Sequence, residues 1–121
     1  MSFVVRKVAA GELVEVNTFV VVLAESPDGE GLRLELQIGL SFDEQDHALG
    51  QATYCSVTEW GATCYGGILG WNLDTAQLVL RYTAEAAAVL EVDEELVLPL
   101  ELPLPEYAAL RAGLERVLAA P

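Results

Sequence analysis

The strictest constraint on this chain lies in residues 32–38. Leu32, Leu34, Leu36 and Ile38 alternate with Arg33, Glu35 and Gln37. Successive side chains of a strand point to opposite faces, so this pattern buries one face and wets the other. Just upstream, Thr18–Ala24 contains Phe19-Val20-Val21-Val22-Leu23, apolar on both faces, as a central strand covered on both sides requires. Ser26-Pro27-Asp28-Gly29-Glu30-Gly31 joins the two with turn chemistry. Proline presets one dihedral, aspartate bonds its own backbone and glycine accepts positive φ. A β-hairpin is thus set early, and the rest of the chain has to be built around a sheet.

Further strands follow from composition and spacing. Residues 3–8 are β-branched and form a first strand, after which Gly11 and Glu12 loosen the chain. Residues 52–58 and 63–69 form a second hairpin, with Trp60-Gly61 as a two-residue turn. In that register Ser56 faces Tyr65, Cys55 faces Gly66, and the Tyr54 ring covers Gly67. Cys55, Val57, Cys64, Gly66 and Ile68 then share the core face. Tyr54, Ser56, Thr58, Thr63 and Tyr65 share a half-exposed one. A turn at Leu73-Asp74-Thr75 leads to a strand over Gln77–Tyr82.

The helices are marked by their caps. Ser41 is expected to cap one helical turn, with Glu44 as its capping-box partner and Gly50 ending it. Thr83 caps a short alanine-rich helix over Ala84–Leu90. Pro99 puts the strand over residues 96–102 at a sheet edge, because proline cannot donate to a ladder. Pro105 opens a last helix, whose Tyr107, Leu110, Leu114, Val117 and Leu118 make one stripe for packing on a sheet. The expected fold is α+β. A mostly antiparallel, curved sheet of about six or seven strands carries a C-terminal helix, with one short helix before the last strand. All 121 residues are expected to form a single domain.

Charge narrows the function. Six Lys and Arg against nineteen Asp and Glu leave a net charge of −13. Such a surface repels nucleic acid and anionic membranes and attracts a basic protein. Residues 1–11 lack a secretory pattern, and the longest uncharged run, residues 60–73, is too short to cross a bilayer. A cytoplasmic location is expected.

No catalytic constellation emerges. The two cysteines are nine residues apart and there is one histidine, His47, so no close ligand pair exists and no metal or other cofactor is expected. The expected register places Cys55 and Cys64 diagonally, about 7–8 Å apart at Cα and at or beyond disulfide reach, so reduced thiols are expected. Asp43, Glu44 and Asp46 form an acidic cluster that reads either as solvated surface or as a patch for the Arg and Lys of a partner. Trp60, expected at a hairpin tip, and Tyr65 complete the candidate partner-binding set, since exposed aromatics anchor interfaces.

Phe42-Asp43-Glu44-Gln45-Asp46, Leu49-Gly50, Thr53-Tyr54-Cys55 and Tyr65-Gly66-Gly67 together resemble the signature of the immunity protein 10 family. The early hairpin, the alternating strand with Leu36-Gln37 and the Leu-x-x-Gly-Leu of residues 110–114 are similar as well. The resemblance covers nearly the whole chain. It implies a bacterial immunity protein, encoded beside a polymorphic toxin, that binds and neutralises the toxin and is not an enzyme. A basic nuclease would suit the acidic surface. Tyr54, Cys55, Gly66 and Gly67 are read as structural members of the motif. The rival reading, drawn from the 53% hydrophobic content and the exposed edge near residues 96–102, is a homo-oligomeric β-rich module, such as a homodimer, binding a small or apolar ligand.

Overall fold

The computed structural model describes residues 2–28 and 30–118. In chain order the elements are β1 (Lys7–Leu13), a 3-10 turn (Val14–Val16), β2 (Thr18–Ala24), β3 (Arg33–Gly39), α1 (Glu44–Ala48), β4 (Cys55–Thr58), β5 (Thr63–Tyr65), β6 (Ile68–Leu73), β7 (Gln77–Tyr82), α2 (Ala84–Leu90), β8 (Glu95–Pro99) and α3 (Leu104–Leu118). The class is α+β, with α3 at the C-terminal end and the short α2 before the last strand, as the sequence indicates. The strands divide into two antiparallel sheets, ordered β1-β2-β3-β4-β5 and β6-β7-β8.

The hairpin read first is present: Leu23 pairs with Leu34, Val21 with Leu36 and Phe19 with Ile38. Val21, Leu23, Leu34 and Leu36 are fully buried, so the alternation of β3 faces the core as its period requires. Gly29, assigned to the connecting turn, lies outside the described residues. The inner faces of both sheets, with α2 and α3, share one apolar cluster that includes Trp71, Leu78, Leu80, Tyr82, Leu96 and Leu98. Helix α3 buries Leu110, Gly113, Leu114 and Val117. It lies so close to β2 that a Cβ at Gly113 would stand 2.6 Å from a Val21 methyl.

The first strand starts later than residues 3–8. Gly11 pairs with Val20 and Glu12 with Phe19, so the β2 ladder carries strand structure through residues of weak intrinsic preference. Residues 3–6 act instead as a strap between the sheets. Val5 N donates to Pro99 O at 2.8 Å, Glu101 N donates to Val5 O at 2.9 Å, and Arg6 N donates to Ala24 O at 2.9 Å. The strap runs along β8, the edge strand that Pro99 foretold. At the β1 edge of the first sheet, Val8 N donates to Glu106 Oε2 of α3 at 3.1 Å, which satisfies a donor left free by the ladder.

The second hairpin differs from expectation in register. Cys55 pairs with Tyr65, Ser56 with Cys64 and Val57 with Thr63. The loop has three residues, 59–61: Thr58 N donates to Ala62 O at 2.9 Å, Gly61 N donates to Thr58 O at 3.0 Å, and Gly61 takes φ +87°. A turn followed by a left-handed glycine is the favoured three-residue loop, and it spares Trp60 the positive φ of a two-residue turn. One added loop residue reverses the faces of one strand relative to the other. Ser56 and Thr58, paired with the buried Leu36 and Leu34 of β3, face inward and are buried rather than half-exposed. Ser56 Oγ and Tyr82 Oη share a buried hydrogen bond of 3.0 Å. Cys55 and Cys64 lie on opposite faces and are free thiols.

The expected strand over residues 63–69 is broken at Gly66-Gly67, with φ of +68° and +86°. These two residues carry the chain from the first sheet into the second. Thr83 N donates to Gly67 O at 2.9 Å, and Thr83 Oγ1 accepts from Ala86 N at 3.1 Å, so α2 begins against the crossing.

Candidate functional site

The acidic cluster sits on α1, and its helix is capped two residues later than the sequence indicates. Asp43, not Ser41, is the N-cap. Its Oδ1 accepts from Asp46 N at 2.8 Å, while Asp46 Oδ2 accepts from Asp43 N at 3.0 Å. This is a reciprocal capping box in which Asp46 takes the place assigned to Glu44. Ser41 serves a different contact. Asn17, left-handed at φ 53°, donates from Nδ2 to Ser41 O at 3.0 Å and accepts from Ser41 Oγ at 3.3 Å. Leu40 N also donates to Asn17 O at 3.0 Å, so the β1–β2 corner holds the approach to α1.

His47 is exposed, with its ring edge-on to Phe42 at 6.4 Å. Burial, with smaller contributions from Glu35 and Cys64, pushes the Cys55 thiol up, which keeps it protonated and a poor nucleophile. Among the described residues, no three His, Cys, Asp or Glu side chains gather as metal ligands.

The motif residues meet around the crossing between sheets. Tyr54 O accepts from Gly66 N at 2.9 Å. The Tyr54 hydroxyl accepts from Ile68 N at 3.0 Å and donates to Ile68 O at 3.3 Å, tying the start of β6 to the approach of β4. A Cβ on Gly67 would stand 2.5 Å from the Ala86 methyl of α2. Cys55 is buried as expected, but on the outer face of the first sheet beside Gln37.

A cleft of about 190 Å³ opens at the α1 end of that sheet. Val16, Asn17 and Thr18 line it from the β1–β2 corner, Gln37, Ile38 and Gly39 from β3, Ser41, Phe42 and Asp46 from the α1 side, and Gln51, Thr53, Cys55 and Tyr65 make up the remainder. Asp46, Tyr65 and Cys55 thus come together here. Asp43 and Glu44 stand exposed on the same short helix. Trp60, 44% exposed, is at the far end of the β4–β5 hairpin, about 10 Å of strand from Tyr65. The five candidate contact residues therefore do not form one patch. The sequence reading missed the opposite wall, residues 16–18. Its one legible signal was Asn17, a residue that tolerates left-handed backbone, between two strand patterns.

Charge is distributed unevenly along the chain. No Lys or Arg occurs in residues 34–80, which include Glu35, Asp43, Glu44, Asp46, Glu59 and Asp74. Four of the six basic side chains are held in ion pairs, Arg6 with Glu101, Lys7 with Glu106, Arg116 with Glu12 and Arg33 with Glu35, the last an acid of that span, at 2.8–3.4 Å. No helix is long and apolar enough to cross a membrane among the described residues.

A family model described as Immunity protein 10 matches residues 4–108. No curated protein and no solved structure matches the chain.

Proposed function

The chain belongs to the immunity protein 10 family, and from that premise we propose that it neutralises a cognate toxin by binding it through the acidic α1 end of the first sheet. The toxin is a basic protein domain, a nuclease in the simplest case, encoded beside this chain and met in the cytoplasm of the producing cell. The observation that carries this reading is the span of residues 34–80 without Lys or Arg, with exposed Asp43 and Glu44 and half-buried Asp46 on one turn. Carboxylates so placed can occupy the sites where a nuclease holds phosphates, and long-range attraction speeds the encounter. In this reading the chain acts by binding rather than by chemistry, and the exposed His47, edge-on to Phe42, fits it. Tyr54, Gly66 and Gly67 hold the scaffold, and Trp60 lies outside the contact.

A module for a small or apolar ligand fits less well. Ligand pockets run to about 300–1,000 Å³, above the roughly 190 Å³ of the cleft. The test is to mix the protein with the toxin domain from the neighbouring gene, size the mixture, and co-express the pair. A stable complex and rescued growth are expected. Absence of both would remove the reading.

A further inference from the structure

We propose that the cleft at the α1 end is a socket for one arginine side chain of the toxin, an inference that rests on the function proposed above. Its volume of about 190 Å³ sets the size of the occupant. An apolar cavity of about 150 Å³ accepts a molecule as small as benzene, and drug-sized ligands need upwards of about 300 Å³. One inserted side chain lies between these limits.

The lining selects the chemistry. None of its residues is basic, so no cation of the chain itself occupies the space. Asp46 spends Oδ2 on the capping box, and its Oδ1 has no hydrogen-bond partner among the described residues. Gln37 donates from Nε2 to Glu35 at 3.0 Å, and its carbonyl oxygen is likewise unpartnered among the described residues. Phe42 and Tyr65 supply aromatic rings on the same cleft, Tyr65 being 44% exposed. A carboxylate with aromatic surface beside it suits guanidinium better than ammonium. Guanidinium is planar, stacks on rings and offers several donors in one plane. The protein uses that combination for an arginine of its own: Arg116 lies 4.1 Å over the Phe19 ring while donating to Glu12 at 2.8 Å.

The surround also suits docking. Val16 and Tyr65 line the cleft and are 64% and 44% exposed, and Leu13, Val14 and Leu49, close to the cleft in sequence, are exposed apolar residues. Apolar contacts about a polar anchor are the usual make-up of an interface centre.

Two measurements test the socket. The full chain is titrated with N-acetyl-arginine methylamide and, separately, its neutral isostere N-acetyl-citrulline methylamide, following backbone amide shifts. Saturable shifts at residues 37, 46 and 65 with arginine alone are expected. An equal response to citrulline, or none at those residues, overturns the inference. The toxin domain is then titrated into wild type, Asp46→Asn, Tyr65→Ala and Trp60→Ala by calorimetry. Asparagine retains the capping acceptor, so Asp46→Asn keeps α1 while removing charge. About a tenfold loss or more is expected for Asp46→Asn and a smaller loss for Tyr65→Ala. Wild-type affinity in both, or a loss confined to Trp60→Ala, moves the interface elsewhere and leaves toxin binding intact. A wild-type protein that fails to bind the toxin removes both readings.

Discussion

Gly67→Ala probes the joint between the two sheets, where two separable costs fall on one methyl group. The first is conformational. Gly67 has φ +86°, and an L-residue in left-handed backbone costs about 1–2 kcal/mol. The second is steric. The new Cβ would stand 2.5 Å from the Ala86 Cβ, well inside the roughly 3.5–4.0 Å at which carbons attract. Ala86 is buried on α2 and has no rotamer by which to withdraw. Overpacking of this kind costs about 1–3 kcal/mol, so Gly67→Ala should destabilise by about 2–5 kcal/mol. Gly66 is the internal control: φ is +68°, but nothing lies within 4 Å of its added Cβ. Gly66→Ala should therefore cost only the conformational share, about 1–2 kcal/mol. Ala86→Gly alone weakens α2 by about 1 kcal/mol, yet in the Gly67→Ala background it should recover most of the steric share. Denaturant unfolding of the four proteins of the Gly67/Ala86 cycle, with Gly66→Ala beside them, gives each quantity. Equal losses for Gly66→Ala and Gly67→Ala, or a coupling within about 0.5 kcal/mol of zero, would refute the account of α2 seated against this crossing.

Burial raises the Tyr82 phenol to about 12, partly offset by the Ser56 hydrogen bond. Its neutral form is thus favoured by folding, so its contribution is intact below pH ~10 and is lost as pH rises through about 12, a change of about 2–3 kcal/mol. Stability measured across that range should fall, and should fall less steeply in Tyr82→Phe. Asp43→Ala removes the cap of α1 and should cost about 0.5–2 kcal/mol, with loss of amide-exchange protection confined to residues 44–49. Glu106→Ala leaves the Val8 edge donor and the Lys7 ammonium without their carboxylate, and chemical denaturation should register about 1–3 kcal/mol.

Much of the fold can be read locally. The alternation of Leu34 and Leu36 with Glu35, the two-faced apolar run of β2, the Thr83 cap of α2 and the stripe of α3 each arise from neighbours within a few residues, and each appears in the structure. The family signature was legible as well, because short motifs survive without tertiary context, and a match over residues 4–108 supports it. Choices of nearly equal local energy were not legible. A two- or three-residue loop at Trp60-Gly61 differs by one residue, yet the choice decided whether Tyr65 or Cys64 pairs with Ser56. Ser41 and Asp43 are comparable caps, and the contacts of Ser41 with Asn17 left the role to Asp43. Gly66-Gly67 looked like hairpin glycines, and only the packing of α2 shows why the chain leaves one sheet there for the other.

By itself, then, the sequence determined the strands, the helices and an acidic surface, since periodicity and charge are properties of the chain at short range. The tertiary structure decided that residues 16–18 and Tyr65, nearly fifty positions apart, share a cleft with Asp46. It also placed Trp60 at the other end of the sheet. Strand pairing brings distant segments together according to register, and register depends on which side chains the common core accepts.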